Sequence, residues 1–179
     1  MSSFSEFVSN PWILGLMIIF LIIYGFFFMW PWLFGAPFEP TKERQVKKMI
    51  KLAKIKKGDK AVDLGSGDGR IVIALAKAGA KEAHGYEINP FLVWISRRKI
   101  KKAGLQKKAF IHYGSFWKAN LRKYDVITLF QFGTVMNRLK KKFMRELKPG
   151  TRVISNHWRF HSWKIKKKSK FDDILLYKR

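Results

Sequence analysis

Residues 61–70 read AVDLGSGDGR, and they set three glycines and two aspartates between two apolar stretches. The run KAVDL (60–64) predicts a short strand, and RIVIALAKAG (70–79) predicts a helix closed by Gly79. Glycine tolerates positive φ and lets the backbone approach a ligand closely, while the start of a helix offers unpaired amides. A strand, a bare turn and a helix in that order suit a nucleotide-like ligand. Asp63 stands two residues before the first glycine and marks the ligand side of the turn.

The alternation continues outward from this unit. EAHGYE (82–87) reads as a second strand, followed by a helix in NPFLVWISRRKIKKAG (89–104). There Asn89 is the expected N-cap, Pro90 fits the first helical position and Gly104 ends the helix. AFIHYG (109–114) and YDVITLF (124–130) are the third and fourth strands. In TVMNRLKKKFMREL (134–147), Val135, Leu139, Phe143 and Leu147 fall in line along a helix. KPG turns into a fifth strand, TRVISN (151–156), and the tail adds a last one in DILLYK (173–178). Lys164–Lys170 reads as an exposed charge run. Strands alternating with helices of this length imply a doubly wound, mostly parallel α/β sheet, with ligands at the carboxyl ends of its strands.

Charge narrows the ligand. Glu87 ends the second strand, where a carboxylate can accept two hydrogen bonds from ribose hydroxyls. A dinucleotide pyrophosphate calls for an uncharged GxGxxG, whereas this turn is GxGxG with Asp63 and Asp68 beside it, and those acids repel phosphate. A ligand with an ammonium group and a sulfonium, and no phosphate, fits better. S-adenosyl-L-methionine is such a ligand.

The rest of the chain sets the context. Its 37 Lys and Arg against 12 Asp and Glu leave a net charge of +25. No charge lies between Glu6 and Glu39, and WILGLMIIFLIIYGFFFMW (12–30) is almost wholly apolar. About 20 such residues cross about 30 Å of hydrocarbon, so residues 1–36 are expected to form a membrane anchor with its helix over about 12–31. Pro11 and Pro31 mark where that helix would start and stop, and Trp12, Trp30 and Trp32 stand where interfacial aromatics stand. A cleaved signal peptide needs a basic n-region, and the first basic residue is Lys42. All basic residues follow the apolar stretch, so the positive-inside rule puts the N-terminus outside and residues 37–179 on the cytoplasmic side. The absence of cysteine agrees with a reducing compartment. GAPFEPT (35–41) is a stiff exit into an amphipathic helix from Thr41, whose Val46, Met49, Ile50 and Ala53 share a face. Its basic face and the excess positive charge draw the domain toward anionic lipid, and the bilayer is expected as a partner through both.

VDLGSGDGR with GYEINP resembles the class I, seven-strand S-adenosylmethionine-dependent methyltransferases, whose sheet is Rossmann-like. PFEPT, LGSGDGRIVIALAKAGA, YEINPFLVWISRRK, GSFWKANLRKYDVITLF and LKPGTRVISNHW resemble more closely the ATP synthase c-subunit lysine methyltransferase family, over about residues 11–164. The resemblance implies a short membrane helix ahead of a compact methyltransferase domain. It also implies that Asp63, Gly65, Ser66, Gly67 and Gly69 surround the methionine end of the cofactor. Glu87 would hold the ribose, with Ile88 and Asn89 beside the adenosine, and Ser115 and Phe116 would meet the adenine. The PFEPT segment, centred on Pro40 and Thr41, would fold over the cofactor. Relatives usually carry an aspartate where this chain has Ser115, and a hydroxyl holds the adenine amino group more weakly than a carboxylate.

Methyl transfer is an in-line displacement that needs positioning and exclusion of water more than a strong base. No residue stands out as a general base, and no metal cluster is expected. Phe130, Gln131 and Phe132 after the fourth strand, with Asn156, His157 and Trp158 after the fifth, are the candidates for the acceptor pocket. His157 and His161 read more readily as packing or solvation residues, and Trp158 and Trp163 can equally close the core or touch lipid. Methyltransferases for nucleic-acid bases commonly carry an Asn/Asp-Pro-Pro-aromatic run after the fourth strand. FQFG (130–133) stands there instead and argues against nucleic acid, although the aromatic-basic tail HWRFHSWKIKKK could stack on single strands. The expectation is a membrane-anchored protein-lysine N-methyltransferase acting on a membrane protein. The alternatives are a methyltransferase for a lipid amine or small molecule, and a non-catalytic, membrane-tethered basic module.

Overall fold

The structure is a computed structural model that describes the backbone of residues 10–34 and 39–179, and the side chains of residues 10–25 and 39–179. The chain divides into two compact units, Met1–Phe38 and Glu39–Arg179. The expected boundary at residues 36–37, Glu6, and Pro37 and Phe38 of the PFEPT segment lie outside the described residues.

The first unit is one helix, α1 (Pro11–Phe34), of 24 residues. The Asn10 side chain caps it by accepting a hydrogen bond from the Trp12 amide at 3.0 Å. The helix passes through Pro31, where the sequence reading ends it. Proline's fixed φ is compatible with helical backbone, so the helix can continue there at the loss of one backbone donor. Trp12, Leu16, Phe20 and Ile22 are all exposed. Among the described residues no helix is long and apolar enough to cross a membrane. The span expected over 12–31 is therefore not supported by the described residues.

The second unit is a seven-stranded sheet in the order β3-β2-β1-β4-β5-β7-β6. Its strands are β1 (Lys60–Leu64), β2 (Glu82–Glu87), β3 (Ala109–Tyr113), β4 (Val126–Leu129), β5 (Arg152–Asn156), β6 (Lys167–Lys168) and β7 (Ile174–Lys178). The first five pair in parallel, and β7 runs antiparallel to both of its neighbours. One face carries α2 (Glu43–Ala53), α3 (Arg70–Lys77) and α4 (Pro90–Lys102), packed through residues such as Met49, Val72, Leu75 and Ile100. The opposite face carries α5 (Gly133–Glu146), with Leu139, Phe143, Phe160 and Tyr177 at its centre. The Rossmann-like, mostly parallel α/β sheet expected from the alternation is thus present.

The details follow local chemistry. The Asn89 carboxamide accepts from the amides of Phe91 and Leu92 and opens α4 at Pro90. At the amino ends of the strands, the Arg152 guanidinium meets Asp59 at 2.6 Å and the carbonyls of Ala53 and Lys54, which ties β5 to the end of α2. The lysines of the charge run Lys164–Lys170 are exposed, as expected, and part of the run also has regular structure. Two of its residues, Lys167 and Lys168, form an edge strand against Leu176 and Leu175. Only the backbone of an edge strand needs a partner, so lysine side chains can stay in water and still sit in a ladder.

The strand order reverses beside β1, so the carboxyl ends of β1 and β4 form the crevice where a doubly wound sheet receives ligands.

Candidate functional site

The turn after β1 is held open by its glycines. Gly65, Gly67 and Gly69 have φ of 81°, 52° and 79°, all in the left-handed region that favours glycine. The amides of Gly65 and Ser66 donate to the Tyr86 carbonyl at 3.0 and 2.9 Å, which fixes the turn against β2. A Cβ on Gly65 would lie 2.4 Å from the Gln131 amide nitrogen, and one on Gly85 would lie 2.5 Å from Ser66 Oγ. Two strands thus approach the turn at distances that exclude a side chain.

Glu87 ties the first two crossovers together. One carboxylate oxygen accepts from the Gly67 amide and the other from the Asn89 amide, each at 2.8 Å. The Gly114 amide adds a bond to the Glu87 carbonyl at 2.8 Å, bringing the end of β3 alongside. A carboxylate has about four lone-pair positions, so two remain for ribose hydroxyls. Ile88, Asn89, Ser115 and Phe116 follow directly on these two strand ends. The Ser115 hydroxyl oxygen accepts from the Trp117 amide at 3.3 Å and caps the short helix Phe116–Lys118.

The two other acids behave in opposite ways. Asp63 is 2% exposed and takes one hydrogen bond, from Thr128 Oγ1 at 2.7 Å. Burial pushes its carboxyl up to about 7 against the pull of that bond, and the neighbouring charges of Glu87 and Asp68 add to the rise. Asp68 is also buried, which raises its carboxyl, but hydrogen bonds from Arg70 and Lys99 outweigh that and hold it at about 2. It meets Arg70 Nη2 at 2.7 Å and Lys99 Nζ at 2.6 Å. Asp68 is therefore a neutralised brace, and Asp63 is the acid with an unmet demand for positive charge. The third arm of Arg70 donates to the Thr41 carbonyl at 2.8 Å, so the segment containing Pro40 and the buried Thr41 is fastened to the glycine turn.

These residues fit S-adenosylmethionine. Ser66 Oγ is buried with no hydrogen-bond partner in the turn, as a polar group awaiting a ligand would be. An ammonium group beside Asp63 would meet that carboxylate's demand.

On the acceptor side the candidates separate. Gln131 donates to the Leu64 carbonyl at 2.8 Å, a brace between β4 and β1. Phe132 and Trp158 are both partly exposed, with ring centroids 6.5 Å apart. The Trp158 ring lies where a Cβ on Gly133 would come within 2.8 Å of it, so the first residue of α5 has to be small. Asn156 is 1% exposed, and neither its oxygen nor its nitrogen has a partner. His157 and His161 are exposed, and Trp163 packs among Phe143, Phe160 and Tyr177 in the core. Among the described residues no group of three or more His, Asp or Glu could hold a metal ion. Sequence reasoning missed Thr128, whose hydroxyl is hidden in the apolar run VITL, and the two cations that quiet Asp68. It also missed Gly133, whose partner lies 25 residues away.

Residues 63–167 match the family described as the ANTKMT methyltransferase domain. The ATP synthase c-subunit lysine N-methyltransferase of Rattus norvegicus is 42% identical over 127 residues, which cover 71% of this chain and 58% of that protein. A protein-lysine N-methyltransferase of Saccharolobus islandicus is 38% identical over 139 residues, 77% of this chain and 86% of that protein. This chain therefore spans little more than half the length of the rat relative and most of the archaeal one. Among solved structures, an RNA methyltransferase of Salinibacter ruber in complex with S-adenosyl-L-homocysteine superposes with a TM-score of 0.73 at 33% identity. The match covers 78% of this chain and 92% of that one.

Proposed function

This chain belongs to the ANTKMT methyltransferase-domain family, and from that premise we propose that it is an S-adenosylmethionine-dependent N-methyltransferase that modifies lysine side chains of a protein. The observation that carries the reading is the pairing of buried Asp63 with Glu87 around the glycine turn. S-adenosylmethionine supplies an activated methyl carbon and a positively charged amino acid end. Asp63 receives the ammonium group in a setting that burial has made receptive to positive charge. Glu87 holds the ribose with its remaining lone pairs, and the Ser66 hydroxyl is free for the carboxylate. Ser115 and Phe116 bound the adenine, and Thr41, fastened by Arg70, closes the near side and keeps water out. The substrate class is supported by the two lysine N-methyltransferase relatives.

The test is binding of S-adenosylhomocysteine by titration calorimetry to the full chain and to Glu87→Ala. Saturable binding by the parent and a loss of at least about 100-fold in the variant are expected, since a charged partner of two hydroxyls contributes about 1.5–3 kcal/mol per bond. Equal affinities would sink the ribose assignment, and no binding by the parent would sink the enzyme.

The same proposal places the protein at a membrane, with α1 as anchor, the N-terminus outside, the catalytic unit on the cytoplasmic face and a membrane protein as substrate. It is supported by the charge-free sequence from 7 to 38 and by the exposed apolar side chains along α1, which ask for an apolar surrounding. Membranes stripped at alkaline pH should retain the chain; release into the supernatant would remove the anchor and leave the enzyme standing.

A further inference from the structure

We propose that Asn156 is the residue that receives the acceptor amine, its side-chain oxygen accepting a hydrogen bond from the lysine Nζ. The inference rests on the methyltransferase reading and deepens it. Asn156 is the last residue of β5 and pairs with Ile174 of β7. Along β5, Ile154 belongs to the cluster under α2, α3 and α4, and Val153 to the opposite cluster. Strand alternation therefore puts Asn156 on the same face as Ile154. Asp63 and Thr128 share that face, because Ala61 and Val126, two positions earlier in their strands, pack in the same cluster. Asn156 lies one position beyond the Leu129–Ser155 pair, level with Phe130 at the carboxyl edge of the sheet. It thus stands at the carboxyl edge of the sheet, two strands from the acid assigned to the cofactor and on the same face.

Its environment is costly to the fold. A buried amide without partners has lost its water and gained nothing in exchange, and both polar atoms of this one are orphaned. The turn by which the chain leaves the strand adds to that cost. His157 has φ of 72°, and the Trp158 amide donates to the Asn156 carbonyl at 2.9 Å, a turn of the strained left-handed kind. The Ser155 hydroxyl braces that turn by donating to the Trp158 carbonyl at 2.6 Å, and Trp158 is pressed against Gly133. Strain, a braced turn and an unpaired amide coincide at one strand end.

The chemistry matches an amine on a thin stem. A lysine side chain is four methylenes ending in a compact nitrogen, slim enough to reach a buried group that a ring could not. An amide stays neutral at every pH, so it accepts a hydrogen bond from the free amine without favouring ammonium as a carboxylate would. With one N–H held by Asn156, the lone pair is directed at the methyl carbon. The N–C bond forms from that lone pair, the electrons of the S–C bond stay on sulfur, and the methylated ammonium later gives its extra proton to solvent.

The test is Asn156→Leu in the full chain, read three ways. Leucine is close to asparagine in shape and has no polar atoms, so the melting temperature should hold or rise. The affinity for S-adenosylhomocysteine should stay within about two-fold, and transfer of labelled methyl into washed native membranes should fall by about 10- to 100-fold. A second variant, Asn156→Asp, should keep transfer but move its pH optimum upward, because a carboxylate holds the amine as ammonium. A lowered melting temperature would make Asn156 a structural residue, weakened S-adenosylhomocysteine binding would give it to the cofactor, and unchanged transfer would remove its role; each overturns the inference. A parent chain that neither binds S-adenosylhomocysteine nor transfers methyl would instead sink the methyltransferase reading, and the melting comparison would still decide whether the amide costs stability.

Discussion

Asp63 shows how one residue can be costly to the fold and useful to the site. Its carboxyl sits at about 7 in the folded chain against the ordinary 3.8, with burial as the main cause. A group raised in this way contributes fully only below about 3.8, and its contribution is lost as pH climbs through about 7. Asp63→Asn should therefore be more stable than the parent at pH 8, by up to about 4 kcal/mol, and the gap should close by pH 4. Chemical denaturation of both proteins across that range checks it; parallel stability curves would mean that Asp63 is solvated. The same variant should lose affinity for S-adenosylhomocysteine, since the stability gained is the cofactor's binding energy given up. The sequence exposed Asp63, Glu87 and the three glycines because their chemistry sits within a few residues of a strand end. It concealed Thr128 because a threonine in VITL looks like any β-branched strand residue. It also made Asp68 look like a repeller of phosphate, when Arg70 beside it and Lys99, 31 residues on, neutralise it.

Elements were legible wherever the signal is local. Periodicity, the Asn89–Pro90 start and the Gly79 and Gly104 stops located α3 and α4 to within a residue or two, and the five parallel strands follow from their apolar runs. Three features were not legible, each for a physical reason. Strand β6 exists only because β7 offers it a ladder, so nothing in KIKKKSK announces it. Between β3 and β4 the chain makes the two short helices Phe116–Lys118 and Leu121–Lys123, each capped by one side chain, in place of a full crossover helix. The passage of α1 through Pro31 depends on a helix tolerating one lost hydrogen bond, which sequence rules treat as a stop. The acceptor side suffers the same non-locality. The seat of Trp158 is set by Gly133 and Ser155 together, two residues with no pattern in common.

At the scale of the whole molecule, the end of the sheet that carries the candidate site and the end that carries a stabilising clamp are opposite. The carboxyl ends of β1, β2, β4 and β5 carry Asp63, Glu87, Gln131 and Asn156, while the amino ends carry the part-buried Arg152–Asp59 clamp. An excess of 25 positive charges surrounds both and will draw anionic surfaces within about 8–10 Å at physiological salt. That attraction is indifferent to chemistry, so charge cannot choose among a protein, a lipid amine and an RNA as acceptor. The decisive measurement is transfer of a radiolabelled methyl group from S-adenosylmethionine by the full chain into washed native membranes, with Glu87→Ala as control. The account predicts label in a discrete protein band, released on hydrolysis as methyl-lysine and absent with the variant. Label recovered in the lipid extract or in nuclease-sensitive material, or none above the Glu87→Ala control, would contradict it.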